Sequence, residues 1–183
     1  MNYAHNKSMR ELSIEQKNEL EELYQSFLRD EKVIRMKDIQ MHRGSSCYIH
    51  SFRVAKLCIK KASRKKKYSM DDLKNVLTAA ILHDYYLYDW RKHRELRKKH
   101  GTRHPLVACA NAVRDFNISK EIQDIIKSHM WPLTPRLYPK TKEAKLVNRM
   151  DNHIATREAL TFRAFKRKRY EKYMAMISRL FDE

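Results

Sequence analysis

Apolar side chains recur at helical spacing through most of this chain. Ser13-Ile14-Glu15-Gln16 has the form of a capping box, and Leu20, Leu23, Tyr24, Phe27 and Leu28 then fall on one face, predicting a helix to about Arg29. A short helix over 31–39 follows, with Val33, Ile34 and Met36 apolar. Met41 to Ser46 reads as a turn, Ser45 or Ser46 capping a helix over 47–62. On that helix His50, Val54, Leu57 and Cys58 stand at i, i+4, i+7 and i+8, which puts a histidine on the buried stripe. Residues 63–70 read as a basic, mobile linker. Asp71 and Asp72 open the next helix, whose inner face is Leu73, Val76, Leu77, Ala80 and Ile81 and whose last turn carries His83 and Asp84.

Residues 85–103 form an aromatic and then basic stretch that fits no single period. Pro105 suits a first helical position, with His104 just before it and Leu106, Val107, Ala110 and Val113 turned inward. Ser119 caps a helix to Ser128 with Ile122, Ile125 and Ile126 as its stripe, and Pro132 and Pro135 stop any continuation after His129. A long helix over 141–164 places Leu146, Val147, Met150, Ile154 and Leu160 inside, and Asp151 shares that side. A tail helix over 165–181 mixes basic residues with Tyr170, Tyr173, Met174, Ile177 and Leu180.

Two glycines and four prolines in 183 residues leave little punctuation for strands and tight turns, so the expectation is an all-α, single-domain helical bundle. It divides into N-terminal helices (1–40), a core (41–160) and a basic C-terminal helix (161–183). There is no long apolar run and no apolar core near Met1, which implies a soluble, cytoplasmic chain without membrane contact. Cys47, Cys58 and Cys109 are far apart in sequence and read as reduced thiols, two of them in the core.

Charge changes the picture further. Forty Lys/Arg against 22 Asp/Glu give +18, of which +9 lies in residues 41–70 and −1 in residues 1–40. Such a field attracts nucleotides, nucleic acid and other polyanions. Taken singly, Arg64-Lys65-Lys66-Lys67 and the run Arg163 to Arg169 read as solvated faces.

The candidate chemistry lies in ligand-type residues that the pattern brings to apolar faces or helix ends: His50, His83, Asp84, His104, His129 and Asp151. One histidine on an apolar stripe is more often a hydrogen-bonded core residue. His5, His42, His93, His100 and His153 show how common histidine is in this chain. Four imidazoles and two carboxylates from five separate segments are instead a set suited to two divalent transition ions. Hydroxide held between two such ions is a standard nucleophile for phosphorus.

The order of these residues resembles the HD-domain superfamily of metal-dependent phosphohydrolases. The resemblance runs from about Met41 to Glu158. It is carried by His50 in Tyr48-Ile49-His50-Ser51-Phe52-Arg53, by Ala80-Ile81-Leu82-His83-Asp84, and by Asp151 in Asn148-Arg149-Met150-Asp151. His104 in Arg103-His104-Pro105 and His129 in Ser128-His129-Met130 match the two extra histidines of two-metal members, such as the bacterial HD-type diadenosine tetraphosphate hydrolases. The fuller phrases from His83 to Trp90 and from Ser128 to Leu133 are similar to a group of small bacterial HD proteins described as phosphohydrolases. The resemblance implies all six residues as metal ligands, Asp84 bridging two ions, with manganese, iron, zinc, nickel, cobalt or magnesium all compatible. It implies hydrolysis of a small phosphorylated substrate, a nucleotide above all.

The chain departs from many relatives after His83-Asp84, where Tyr85-Tyr86-Leu87-Tyr88 replaces a small residue and a lysine. Arg91 and Lys92, or Arg53, are then the candidate cations for substrate charge, Lys92 reading more as a surface charge, and Asp89 and His93 are candidates for a supporting or proton-donating role. The tyrosines read as pocket walls. Two other functions fit the same sequence. One is a di-iron oxygenase on the same six ligands. The other is a non-catalytic nucleic-acid or polyanion-binding protein that uses the basic surface. The Met, Tyr and Phe residues of the terminal helices are also compatible with a homodimer.

Overall fold

Helix α4 (Met70–Leu82) is the element around which the others pack. Thr78, Ala79, Ala80, Ile81 and Leu82 are consecutive and all buried, so the second half of this helix is enclosed on every side. In the computed structural model, which describes residues 11–41, 45–92 and 94–164, α4 contacts α1 (Ile14–Arg29), α3 (Cys47–Ala62), α5 (Arg94–Phe116), α6 (Lys120–Ser128) and α7 (Lys142–Ala164). The remaining element is α2 (Glu31–Ile34), continued by a 3₁₀ turn over Arg35–Asp38. Every regular element among the described residues is helical; pairing of the strand kind is confined to one bridge between Gln40 and Ser46.

The helix starts follow the local chemistry read from the sequence. Ser13 and Gln16 form the reciprocal capping box of α1, and the Ser46 hydroxyl accepts from the Ile49 N–H at the start of α3. Ser69 and Asp72 make a second capping box, so α4 starts one residue before the two aspartates, and Ser119 caps α6. The turn between α2 and α3 is tied by the Cys47 N–H donating to the Ile39 carbonyl at 2.8 Å.

Several expectations change. The short helix expected over 31–39 tightens to 3₁₀ geometry after Ile34. The linker after α3 is anchored: Tyr68 is buried and its hydroxyl donates to the Lys142 carbonyl at 3.3 Å. All three cysteines, not two, are buried thiols.

The largest change concerns α5, which begins at Arg94 and runs straight through Pro105. Among the described residues its buried positions are His104, Pro105, Ala108, Cys109 and Ala112, while Leu106, Ala110 and Val113, expected inward, are exposed. Proline inside a helix removes one backbone bond and costs about 3 kcal/mol in isolation. Here tertiary packing overrides that cost, with the small-residue face turned to α6 and the Cys109 thiol near the Gln123 carbonyl. Leu160 on α7 is likewise exposed rather than inward. The tail helix over 165–181, the basic run beyond Ala164, and His5, His42 and His93 lie outside the described residues.

Candidate metal centre

Each histidine of the predicted set is oriented by its other ring nitrogen. His83 follows the last turn of α4, where carbonyls lack intrahelical partners, and its Nδ1–H donates to the Ala80 carbonyl at 2.8 Å. His129 stands at the same place on α6 and donates from Nδ1 to the Ile126 carbonyl at 2.7 Å. His104, in the middle of α5, donates from Nδ1 to the His100 carbonyl at 2.9 Å. A carbonyl can only accept, so in all three rings Nδ1 carries a proton, and Nε2 is the nitrogen left to face the cluster. His50 differs only in its partner: its Nδ1 faces Glu158 Oε2 at 3.0 Å.

The four Nε2 atoms converge on Asp84 and Asp151. Asp84 Oδ2 lies 3.1 Å from His83 Nε2 and 3.9 Å from His50 Nε2. Asp84 Oδ1 lies 3.2 Å from His104 Nε2 and 3.8 Å from His129 Nε2. Asp151 Oδ1 completes the first group, at 2.9 Å from His50 Nε2 and 3.6 Å from His83 Nε2. One carboxylate therefore faces two histidine pairs with different oxygens, and the second lies against the His50–His83 pair and also within reach of His129. All six side chains are buried.

His50 Nε2 and Asp151 Oδ1 satisfy each other in a hydrogen bond, but the rest of the cluster does not. His83 Nε2 and both oxygens of Asp84 are buried without a hydrogen-bond partner. His104 Nε2 and His129 Nε2 face each other at 2.9 Å, a spacing that needs a proton or another cation between them. Buried lone pairs and carboxylates in such numbers are costly unless positive charge lies among them. A divalent ion held among these groups would meet that need. Three groups, His50-His83-Asp84, His83-His129-Asp151 and Asp84-His104-His129, have ligand atoms within 4.8 Å of one another. Nitrogen and oxygen donors with neutral imidazoles suit the divalent transition ions.

The electrostatics show how protons balance the two carboxylates when no other cation lies among them. Burial disfavours charge on His50, but its bonds to Asp151 and Glu158 outweigh this and raise its pKa to about 9. Burial is also outweighed at His83, which the charge of Asp84 and then Asp151 hold well above the ordinary value. Asp84 is held well below the usual carboxylate range, its complete burial overcome by His83 and His104, and Asp151 is held low by His50 and His83 against the same opposition. His129 goes the other way, pushed down to about 3 by burial and by the neighbouring histidines. Among the described residues no Lys or Arg pairs with either aspartate.

Glu158 and two asparagines support the cluster and were not singled out in the sequence. Glu158 accepts from His50 and from Arg53 Nη1, the latter at 2.8 Å, joining α7 to the start of α3. A carboxylate behind a ligating histidine fixes ring direction and raises basicity. Its signal was available: Glu158 is seven residues after Asp151, two turns along the same face of α7. Asn148 Nδ2 donates to the carbonyls of His129 and Trp131 at 2.6 and 2.7 Å, fixing the end of α6 on α7. Asn111 Nδ2 donates to the carbonyls of Tyr85 and Tyr86, holding the segment after Asp84 on α5. No sequence period marks either asparagine.

The other candidates fall around this centre. Arg53 is engaged with Glu158, and Arg91 donates to Gln40 and to the Met41 carbonyl while its guanidinium lies 5.3 Å from the Trp90 ring centre. Asp89 accepts from the Arg91 N–H, as a turn cap. Tyr85 and Tyr86 are buried, the former donating to Asp115 and the latter receiving the Cys47 thiol at 3.0 Å. His153 and the Arg64 to Lys67 run are exposed.

A family model for the HD domain matches residues 47–156, a span that contains all six residues of the cluster. Neither the curated proteins nor the solved structures contain a significant match to the chain.

Proposed function

The chain belongs to the HD-domain family, and on that footing we propose that it is a metal-dependent phosphohydrolase that cleaves a phosphate ester or anhydride, of a nucleotide above all. The observation that carries this reading is the division of Asp84, one oxygen toward His50 and His83 and the other toward His104 and His129. That division suits a pair of ions with Asp84 between them. His50, His83 and Asp151 would hold one with Asp84 Oδ2, and His104 and His129 the other with Asp84 Oδ1. Two such ions polarise a phosphoryl oxygen and acidify water, which is the chemistry that phosphate hydrolysis needs.

The protein's own groups set the stage for that chemistry. Backbone carbonyls hold His83, His104 and His129 in the tautomer whose Nε2 binds a cation, and Glu158 does the same for His50. Burial of the cluster excludes bulk water and strengthens every charge interaction within it. The formal +18 charge favours collection of an anionic substrate, and Arg53 and Arg91 each have N–H groups beyond those bonded in the fold.

Metal analysis followed by assays on a generic phosphodiester and a nucleotide panel tests the reading. The expected result is turnover that is lost on chelation and in Asp84→Ala. Stoichiometric metal with no turnover of any phosphorylated compound contradicts hydrolysis. Iron together with oxygen consumption would move the same ligands to oxygenase chemistry.

A further inference from the structure

The stretch after Asp84 and the first half of α5 build a column of flat rings against one member of the cluster. His100 stacks on His104 with ring centres 4.7 Å apart and planes at 25°. Trp90 stacks on His100 with centres 4.9 Å apart and planes at 16°. The Tyr88 hydroxyl sits 3.0 Å from His100 Nδ1 and fixes the middle ring, while Tyr86 meets His104 edge-on at 5.6 Å. The outer end is pinned by Arg91, whose guanidinium lies over Trp90 and bonds to Gln40 and Met41.

His104 has particular need of such support. The next residue, Pro105, has no N–H to give to the Gly101 carbonyl, so the helix is one bond short beside this ligand. His83 and His129 ride at helix ends that the core encloses, and His50 is held by Glu158. His104 Nδ1 donates to the carbonyl of His100, the residue whose ring also covers its face. His100 thus fixes His104 twice, through the backbone and through the stack, and Trp90 holds His100 in place.

We propose that Trp90 and His100 are positioning residues for His104 and set the affinity for the ion on the His104–His129 side of Asp84, without acting on the ion held by His50, His83 and Asp151. The proposal rests on the metal reading above. It also gives a purpose to the aromatic run Tyr86-Leu87-Tyr88-Asp89-Trp90, which buttresses a ligand as well as walling the site. Partners behind ligating histidines change metal affinity by about 10–100-fold when removed, and the same range is expected here.

The test is titration of the metal-free protein with Co²⁺ alone, following absorbance and heat, in wild type, Trp90→Ala, Trp90→Phe, His100→Ala and His100→Phe. Wild type is expected to take two ions. Trp90→Ala and His100→Ala should weaken one of them by about 10–100-fold and leave the other unchanged. The phenylalanine variants, which keep a flat ring in the column, should recover most of that loss. Equal weakening of both ions, or no recovery with phenylalanine, overturns the proposal in favour of a general packing role. Two ions in wild type with unchanged affinities in both alanine variants removes the proposal alone, whereas a wild type that takes no Co²⁺ removes the metal reading with it. Should either alanine variant fail to fold, the other decides the question, since they break the column at different points.

Discussion

The Nε2 atoms of His104 and His129 stand 2.9 Å apart, each on a ring whose Nδ1 donates to a backbone carbonyl. Two ring nitrogens that close, in a buried site, need a proton or a metal cation between them. On the other side of Asp84, His83 Nε2 and the Asp84 oxygens are buried without hydrogen-bond partners. The cluster is a set of buried His and Asp groups that could hold metal, with the proposed pair of ions on either side of Asp84.

Removing one histidine should therefore empty one side. His129→Ala is expected to lower bound metal from two ions to one, and His50→Ala to do the same from the other side. Each loss should exceed the roughly 10–100-fold effect of a supporting residue. Plasma emission counts on the folded variants check this. Loss of both ions in His129→Ala would mean that the two sides are not separable.

Glu158 should matter through His50 alone. Its pKa is lowered by the bonds to His50 and Arg53 despite burial, so it stands ionised behind the imidazole. Glu158→Gln keeps an acceptor for His50 Nδ1 but loses the charge, and Glu158→Ala loses both. Affinity for the ion at His50 should fall in that order, by about 10-fold or more for alanine. Calorimetric titration of the three proteins gives the answer, and an alanine variant with unaltered affinity would contradict the assigned role.

How far this was visible beforehand depends on what carried each signal. The six ligand-type residues were legible because polar groups interrupt strong apolar stripes or end them, as Asp151 does beside Val147 and His129 after Ile125 and Ile126. α3 and α6 matched their periods because capping serines and branched apolar residues agreed. α5 did not: its buried face is His104, Ala108 and Ala112, a stripe too small to register as apolar, while the larger Leu106 and Val113 face outward. Pro105 then suggested a start where the chain holds a middle. The asparagine clamps were invisible for another reason. Asn111 and Asn148 bond to main-chain carbonyls of distant segments, and main-chain partners leave no mark in sequence.

The continuity of α5 can be checked at Gly101. A Cβ built there would lie 2.8 Å from Leu133 Cδ2, the far end of a side chain that is 54% exposed and free to turn away. Alanine within a helix is favoured over glycine by about 1 kcal/mol. Gly101→Ala should raise stability by about 0.5–1 kcal/mol, seen as a melting temperature higher by a few degrees. A clear loss of stability would show that Leu133 cannot yield, or that residue 101 is not helical.

Asp115 offers a pH-dependent test of the anchor beneath the tyrosine segment. Its pKa is lowered to about 2, by Arg114 and, against some burial, by the Tyr85 hydroxyl. A depressed folded-state value gives stability that is complete above the unfolded-state value near 4 and is lost as pH falls through about 2. Because Arg114 is largely exposed, the contribution is about 1 kcal/mol. Asp115→Asn should be less stable by that amount at pH 6 in urea unfolding, with the difference closing below pH 3. A difference that persists unchanged at pH 2 would assign the effect to packing.

The most direct measurement is the metal content of the protein purified without added metal, repeated for Asp84→Ala. The account predicts up to two divalent ions per chain, removable by chelator, and none held with comparable affinity when Asp84 is absent. Protein that takes up no ion even when titrated, or that binds as well without Asp84, would contradict the central claim that His50, His83, Asp84, His104, His129 and Asp151 meet around cations.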